Sequence, residues 1–335
     1  MTPAQLRSFR GTLLRWYDQH RRDLPWRRDR DPYRVWVSEI MLQQTRVAAV
    51  LDHYQRFLLR FPTVQSLANA REASVLALWS GLGYYHRARR MHQAAKVIAR
   101  ELGGRFPQTA EAWSALPGIG RYTAAAIASI SFSQPVAVVD GNVERVLQRL
   151  FGPERDRETP WLRAAGLLDR QRPGDFNQAM MELGATVCTP RAPQCLPCPL
   201  NGFCKSSGAD VPGVQAARKR KEVSYALAWK DASVLLVRRP ANSRLMAGMW
   251  ELPAIDSSSL NGNRPLMRLR HSITDTDYHV AVFAFEPKQL SHCSTETRWA
   301  ARKQWEQLAL TGLTRKILRR LPPESKGRIM ESTCH

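Results

Sequence analysis

The chain has 335 residues, is 44% hydrophobic and carries a formal charge of +21, from 50 Lys and Arg against 29 Asp and Glu. That excess points to a polyanionic partner, and the lack of any run of about 18 apolar residues excludes a membrane-spanning helix. No N-terminal apolar segment has the form of a signal peptide, so a reducing, cytoplasmic setting is expected.

Residues from about 4 to 187 read as helix after helix. Thr2-Pro3-Ala4-Gln5 has the form of a capping box, followed by Leu6, Phe9, Leu13, Trp16 and Tyr17 at helical spacing. Asp31-Pro32 can open a second helix that runs through Trp36 and Ile40 to about Gln43. Thr45 is the expected cap of a third, which Pro62 ends. A helix beginning near Tyr84 is closed by Gly103-Gly104. Further starts are expected at Thr109, at Thr159-Pro160 and at Asp175, and no alternating strand is expected before residue 205. From Lys205 to Glu222 the composition is that of a linker, polar, with Gly and Pro and a basic run at its end. Beyond it Val223–Trp229, Val234–Arg238 and His279–Phe285 read as strands, and a last helix is expected near Leu313–Leu321.

Three features carry chemistry. Leu116-Pro117-Gly118-Ile119-Gly120 lies between two helical stretches, and its glycines permit a tight turn that leaves backbone amides free at a helix start, a phosphate-binding arrangement. An ordinary helix connection is the plainer reading. Asp140 follows the apolar run Val136–Val139 and precedes a helix; it can cap that helix, whose dipole would keep it ionised beside a developing cation. Glu39 sits in Val35-Trp36-Val37-Ser38-Glu39-Ile40-Met41-Leu42, a helix with little solvated face. Such surroundings favour a neutral carboxyl, and so a general acid.

The fourth feature is Cys188, Cys195, Cys198 and Cys204, at spacing C-x6-C-x2-C-x5-C. Clustered thiolates in a reducing compartment hold a metal or an iron–sulfur cluster. Four thiolates also suit a closed zinc site; the single C-x2-C fits paired zinc knuckles poorly and favours the cluster.

L-P-G-I-G-R-Y-T, the aspartate in V-V-D-G-N-V-E-R-V and the cysteine loop resemble the endonuclease-III-like helix–hairpin–helix DNA glycosylases. D-L-P-W-R, S-E-I-M-L-Q-Q-T, G-L-G-Y-Y and F-N-Q-A-M-M-E-L-G-A resemble the MutY-type adenine DNA glycosylases within them. The resemblance implies a mainly α N-terminal domain of two helical lobes over residues 1–205, with a 4Fe–4S cluster loop at 188–204. A basic linker at 206–222 and a smaller α+β, Nudix-like domain at 223–325 would follow. It implies a monomeric enzyme of a bacterial-type cytoplasm, bound to double-stranded DNA and removing adenine opposite 8-oxoguanine or guanine.

By the same resemblance Glu39 is the acid and Asp140 the stabiliser of the sugar cation, with Tyr122 and Asn142 beside them. Leu24, Trp26, Arg27, Leu42 and Glu182 would line the adenine pocket, and Gln43, Gln44 and Tyr84 would wedge into the base stack. Gly118 and Gly120 would contact the DNA backbone. Members that also cleave the backbone carry a lysine where this chain has Tyr122, which implies a monofunctional enzyme. In the C-terminal domain Ile273-Thr274-Asp275 stands where the family has Phe-Ser-His, leaving Thr274 to contact the oxidised base.

Overall fold

A computed structural model of the chain describes residues 1–153, 156–206, 218–243, 245–256, 260, 264–273, 275–290 and 296–322. The chain divides into two compact units, Met1–Asn69 with Arg90–Val214, and Ala70–Arg89 with Gln215–His335. The helices in chain order are α1 (Pro3–His20), α2 (Pro32–Leu42), α3 (Val47–Arg60), α4 (Val64–Ala68), α5 (Glu72–Trp79), α6 (His86–Arg100), α7 (Ala110–Ser114), α8 (Arg121–Phe132), α9 (Gly141–Phe151), α10 (Thr159–Leu167), α11 (Pro173–Thr186) and α12 (Gly312–Leu318). None is long and apolar enough to cross a membrane.

The first unit is helical, as expected, and no strand precedes Lys219 among the described residues. Its capping chemistry is largely local. Thr2 and Gln5 exchange the two hydrogen bonds of a capping box at the start of α1, and Asp31 accepts from the Arg34 amide at the start of α2. Thr45 departs from expectation. Arg46 is the residue before α3 and makes no side-chain cap, since a guanidinium has no acceptor; the Thr45 hydroxyl donates to the Gln43 carbonyl. At α10, Asp156 accepts from the amides of Glu158 and Thr159, so the capping group precedes Thr159.

Phe9, Leu13 and Tyr17 of α1 share one core with Val143, Leu147 and Leu150 of α9 and Phe176, Met180 and Leu183 of α11. Against α11 also packs α8, and against α8 packs α2. The approach of α11 to α8 is close: a Cβ at Gly174 would stand 2.6 Å from the Ser129 carbonyl oxygen and 2.7 Å from the Ile130 Cα. Backbone, unlike a flexible side chain, cannot step aside.

In the second unit β1 (Lys219–Leu227), β2 (Trp229–Lys230), β3 (Ser233–Arg238), β4 (Trp250–Glu251), β5 (Ala254–Ile255), β6 (Met267–Ile273), β7 (Thr276–Ala284) and β8 (Thr297–Ala301) form two four-stranded sheets. One has the order β5-β1-β7-β6, with β1 and β7 parallel and Tyr225 opposite Val282. In the other β3 pairs with β2, β4 and β8. Tyr225, Leu227, Val234, Leu236, Val280 and Val282 close a core with Leu313 and Ile317 of α12. β1 starts four residues before its apolar run because its pairing with β7 extends back to Lys219. β6 and β8 escape the apolar pattern because their outer positions carry Arg268, Arg270 and Arg298.

Replacing Gly174 by Ala should lower the stability of the helical unit by about 1–3 kcal/mol, the usual cost of overpacking. Urea denaturation followed by far-UV circular dichroism reads this as a lowered midpoint. An unshifted midpoint would mean that α8 and α11 can separate without loss.

Candidate active site

The first unit encloses a cavity of about 640 Å³, within the range of small-molecule sites. Leu24, Trp26, Arg27, Glu39, Leu42, Gln43, Gln44, Tyr122, Asp140, Asn142 and Glu182 all line it. Residues spread over 159 positions of the sequence thus converge on one space. Arg22, Gln178 and Met181 line it as well and are not singled out by the sequence.

Glu39 comes from α2, in which eight of eleven side chains are buried, and is itself 6% exposed. Burial raises its pKa to about 7; the negative charge of Asp140 adds to the rise, while the Tyr122 hydrogen bond and Arg27 oppose it. Tyr122, the second residue of α8, donates its hydroxyl to Glu39 Oε2 at 2.8 Å. Burial first, then the charges of Glu39 and Asp140, holds the pKa of this phenol well above the usual tyrosine value. Tyr122 therefore acts as a fixed donor.

The turn before α8 directs that phenol. Gly118 has φ +77, and a Cβ there would lie 2.5 Å from Arg90 Cβ. A side chain is excluded twice over, by conformation and by space. Gly118 and Gly120 themselves lie outside the cavity lining, at the exposed end of α8.

Asp140 caps α9, its Oδ1 accepting from the amides of Asn142 (3.0 Å) and Val143 (2.8 Å). Oδ2 accepts from Asn142 Nδ2 at 2.9 Å, so the carboxylate is held at both oxygens. The approach to it is held from α11. Buried Asn177 donates to the Val136 carbonyl and accepts from the Val138 amide. Farther along α11, a Cβ at Gly184 would fall 2.7 Å from Asn142 Cβ, so the glycine lets the two helices close around the site.

The opposite wall carries a second buried carboxyl in a contrary state. Burial alone would raise the pKa of Glu182, but hydrogen bonds and charge from Arg22 and Arg27 outweigh it and bring it down to about 2. Arg22 Nε and Nη2 reach the two oxygens at 2.6 and 2.8 Å, and Arg27 Nη2 reaches Oε2 at 2.9 Å. Arg22 escapes the sequence reading because it lies just ahead of D-L-P-W-R at 23–27, the stretch that carries the resemblance.

Gln43 donates to Thr123 Oγ1 at 3.1 Å. Gln44 is exposed with φ +53, a left-handed conformation uncommon outside glycine. Tyr84 belongs to the second unit, and Thr274 lies outside the described residues. Its neighbour Asp275 pairs with Lys219 at 3.3 Å and accepts from the Thr276 hydroxyl.

Cys188, Cys195, Cys198 and Cys204 are half-buried and free of disulfides. Three of them, Cys188, Cys198 and Cys204, pack on the core shared by α1, α9 and α11. Burial raises the Cys198 thiol, and the charges of the other three add to that rise, so the four lie within electrostatic reach of one another. Arg149 donates to Cys188 Sγ at 3.2 Å and to the Thr189 and Pro190 carbonyls. Among the described residues no group of three or more His, Cys, Asp or Glu side chains is arranged to hold a metal ion.

Comparison with known proteins places this architecture. The profile of the HhH-GPD superfamily base excision DNA repair proteins matches residues 37–165, a span that takes in Glu39, Tyr122 and Asp140. Among solved structures, a thermostable thymine-DNA glycosylase superposes with a TM-score of 0.58 at 30% identity, over 62% of this chain and 98% of that one. Endonuclease III trapped in a covalent complex with DNA shares the fold, with a TM-score of 0.54 at 22% identity over 62% of this chain and 97% of its own. The adenine DNA glycosylase of Mus musculus is 36% identical over 97% of this chain and 80% of its own length. That of Homo sapiens is 38% identical over 98% of this chain and 77% of its own. With near-complete coverage at that identity, and with the helix–hairpin–helix profile lying across the carboxyl-lined cavity, the chain belongs to the adenine DNA glycosylases.

Proposed function

We propose that this enzyme removes adenine mispaired with 8-oxoguanine, or with guanine, from double-stranded DNA, and that it leaves the backbone uncut. The target bond is inaccessible in a stacked duplex, so the adenosine is flipped into the cavity. Leu24, Trp26, Arg27 and Leu42 form the walls for the base, and Glu182, joined by Arg22, meets its polar edge. Gln43, Gln44 and Tyr84 enter the stack it leaves. Gly118 and Gly120 present the α8 amides to a phosphate.

The observation that carries this reading is Glu39, a buried carboxyl with a pKa of about 7 that faces the cavity occupied by Asp140. With Oε2 accepting from Tyr122, the proton is carried on Oε1 and passes to adenine N7. The C1′–N9 bond then breaks with its electron pair on a neutral leaving base. Asp140, held at both oxygens, stabilises the oxocarbenium-like sugar, and Tyr122 and Asn142 flank it. Water adds at C1′ and gives its proton to the Glu39 carboxylate. Among the described residues no lysine lines the cavity, which supports hydrolysis over an amine-dependent lyase step.

The residues that carry the chemistry lie within 1–205, and a linker that gives way to β1 at Lys219 precedes a recognition domain that reads the base opposite through Thr274. The enzyme acts as a monomer on nucleoid DNA in the cytoplasm. Cys188, Cys195, Cys198 and Cys204 hold one 4Fe–4S cluster: the donor set is four free thiols, with Arg149 donating to one sulfur. Held by these four thiolates, the cluster would tie down the loop after α11 and would supply no chemistry to the hydrolysis.

Glu39→Gln should bind mispaired duplex yet excise adenine about 10²–10⁴-fold more slowly, the usual contribution of a general acid. Because the acid is active when protonated, kcat/KM should fall as pH rises through about 7, and the variant should lack that limb. Single-turnover gels on a duplex with adenine opposite 8-oxoguanine measure both. A variant retaining more than about a tenth of the wild-type rate would remove Glu39 as the acid.

Asp140→Asn should fold normally, since Asn caps a helix about as well as Asp, but should lose excision. Comparing the melting midpoint with the excision rate separates the two duties, and full activity would reduce Asp140 to a cap.

Purified protein should contain iron, and Cys198→Ser should lose iron content or soluble yield. Metal analysis returning one zinc and no iron would exclude the cluster.

A further inference from the structure

The turn Ser80–Tyr85 stands in an unfavourable conformation. Gly81 has φ +117, Gly83 φ +70 and Tyr84 φ +46. Left-handed backbone is strained for a tyrosine, and such a residue keeps it only where its surroundings over-determine it. Two sets of contacts do so here.

The first comes from flanking residues. Trp79 Nε1 donates to the Gly83 carbonyl at 3.1 Å. Arg87, 6% exposed, donates to the Leu82 and Gly83 carbonyls at 3.2 and 3.3 Å. Its guanidinium lies 5.3 Å from the Trp79 ring centroid and 5.6 Å from that of Tyr84.

The second comes from more than 200 residues away. Buried Ser80 donates its hydroxyl to the Leu310 carbonyl at 2.6 Å and accepts from Arg315 Nε at 2.8 Å. Tyr85 donates to the same carbonyl at 3.4 Å and accepts from the Gly81 amide at 3.5 Å. That carbonyl is itself fixed, since the Trp250 amide donates to Ala309 O and the Thr311 amide to Trp250 O, both at 2.9 Å. Arg315 projects from α12, which is seated in the core of the sheets. These contacts all fall within the second unit, to which Ala70–Arg89 belongs.

We propose that Ser80, Arg315 and the Leu310 carbonyl are a positioning device for Tyr84, through which the C-terminal sheets hold the turn that enters the DNA stack. The inference rests on the reading of Tyr84 as a wedge. It gives the C-terminal unit a second duty, separate from any contact with the base opposite adenine. Removing the whole unit would abolish both duties together, whereas a change at Arg315 or Ser80 touches one.

The experiment uses the full-length protein with 3-fluorotyrosine placed at position 84. In the free enzyme, Ser80→Ala and Arg315→Met should each shift or broaden its fluorine resonance; an unchanged resonance in Ser80→Ala, the milder change, overturns the inference. Single-turnover excision then closes a double-mutant cycle. Arg315→Met should slow excision about tenfold in the wild type but less than about twofold in a Tyr84→Ala background, because it acts through Tyr84. Equal slowing in both backgrounds also overturns the inference. Wild-type excision by Tyr84→Ala alone would instead remove Tyr84 from the proposed function, and the fluorine resonance would still decide the positioning.

Discussion

A carboxyl whose pKa rises to about 7 needs burial among apolar side chains, and the helical unit supplies it at Glu39. Glu39 lies on a helix whose other faces are committed to the core, so the site could not be moved to a looser part of the fold without losing the shifted pKa. Tyr122 donates to Glu39 at 2.8 Å from the second position of α8, which starts just after the turn at Gly118, where no side chain would fit. The turn at Gly118 and the surroundings of Glu39 are therefore parts of one construction.

The other side of the cavity solves the opposite problem. Glu182 is as buried as Glu39 but is kept ionised by two arginines that meet both of its oxygens. Taking both arginines away would leave an uncompensated buried charge, a costlier state than the absence of the whole group. Two carboxyls in one cavity are thus pushed in opposite directions: at Glu182 two arginines outweigh burial, whereas at Glu39 burial outweighs the Tyr122 hydrogen bond and the charge of Arg27. The first suits recognition of a polar base edge and the second suits delivery of a proton.

Helix α11 ties these parts together. Along 14 residues it supplies Gly174 against α8, Asn177 to the strand-like run before Asp140, Glu182 to the cavity wall and Gly184 against Asn142. Arg145 extends the chain of contacts, donating to Asn142 Oδ1, to the Gly184 carbonyl and to the Cys188 carbonyl. The cysteine loop begins where this helix ends, so a group that orders the loop also steadies the helix that shapes the site.

The sequence by itself determined most helices of the first unit, though not α4 or the start of α11 at Pro173, together with the candidate acid and aspartate and the four-cysteine loop, because each is local: a cap, an apolar helix around one charge, a spacing. It also reached most of the cavity lining through motif resemblance. It misplaced the start of α3, which Arg46 precedes, the Thr45 hydroxyl donating instead to the Gln43 carbonyl. It passed over β6 and β8, which are sheet edges with arginines on their open faces and so lack an apolar run. Only the tertiary structure decided that Arg22 would meet Glu182, and that Ser80 and Tyr85 would close on Leu310 and Arg315. These pairings join residues 160 or more positions apart. No local preference encodes them, and they follow only once α11 and α12 have been seated in their cores.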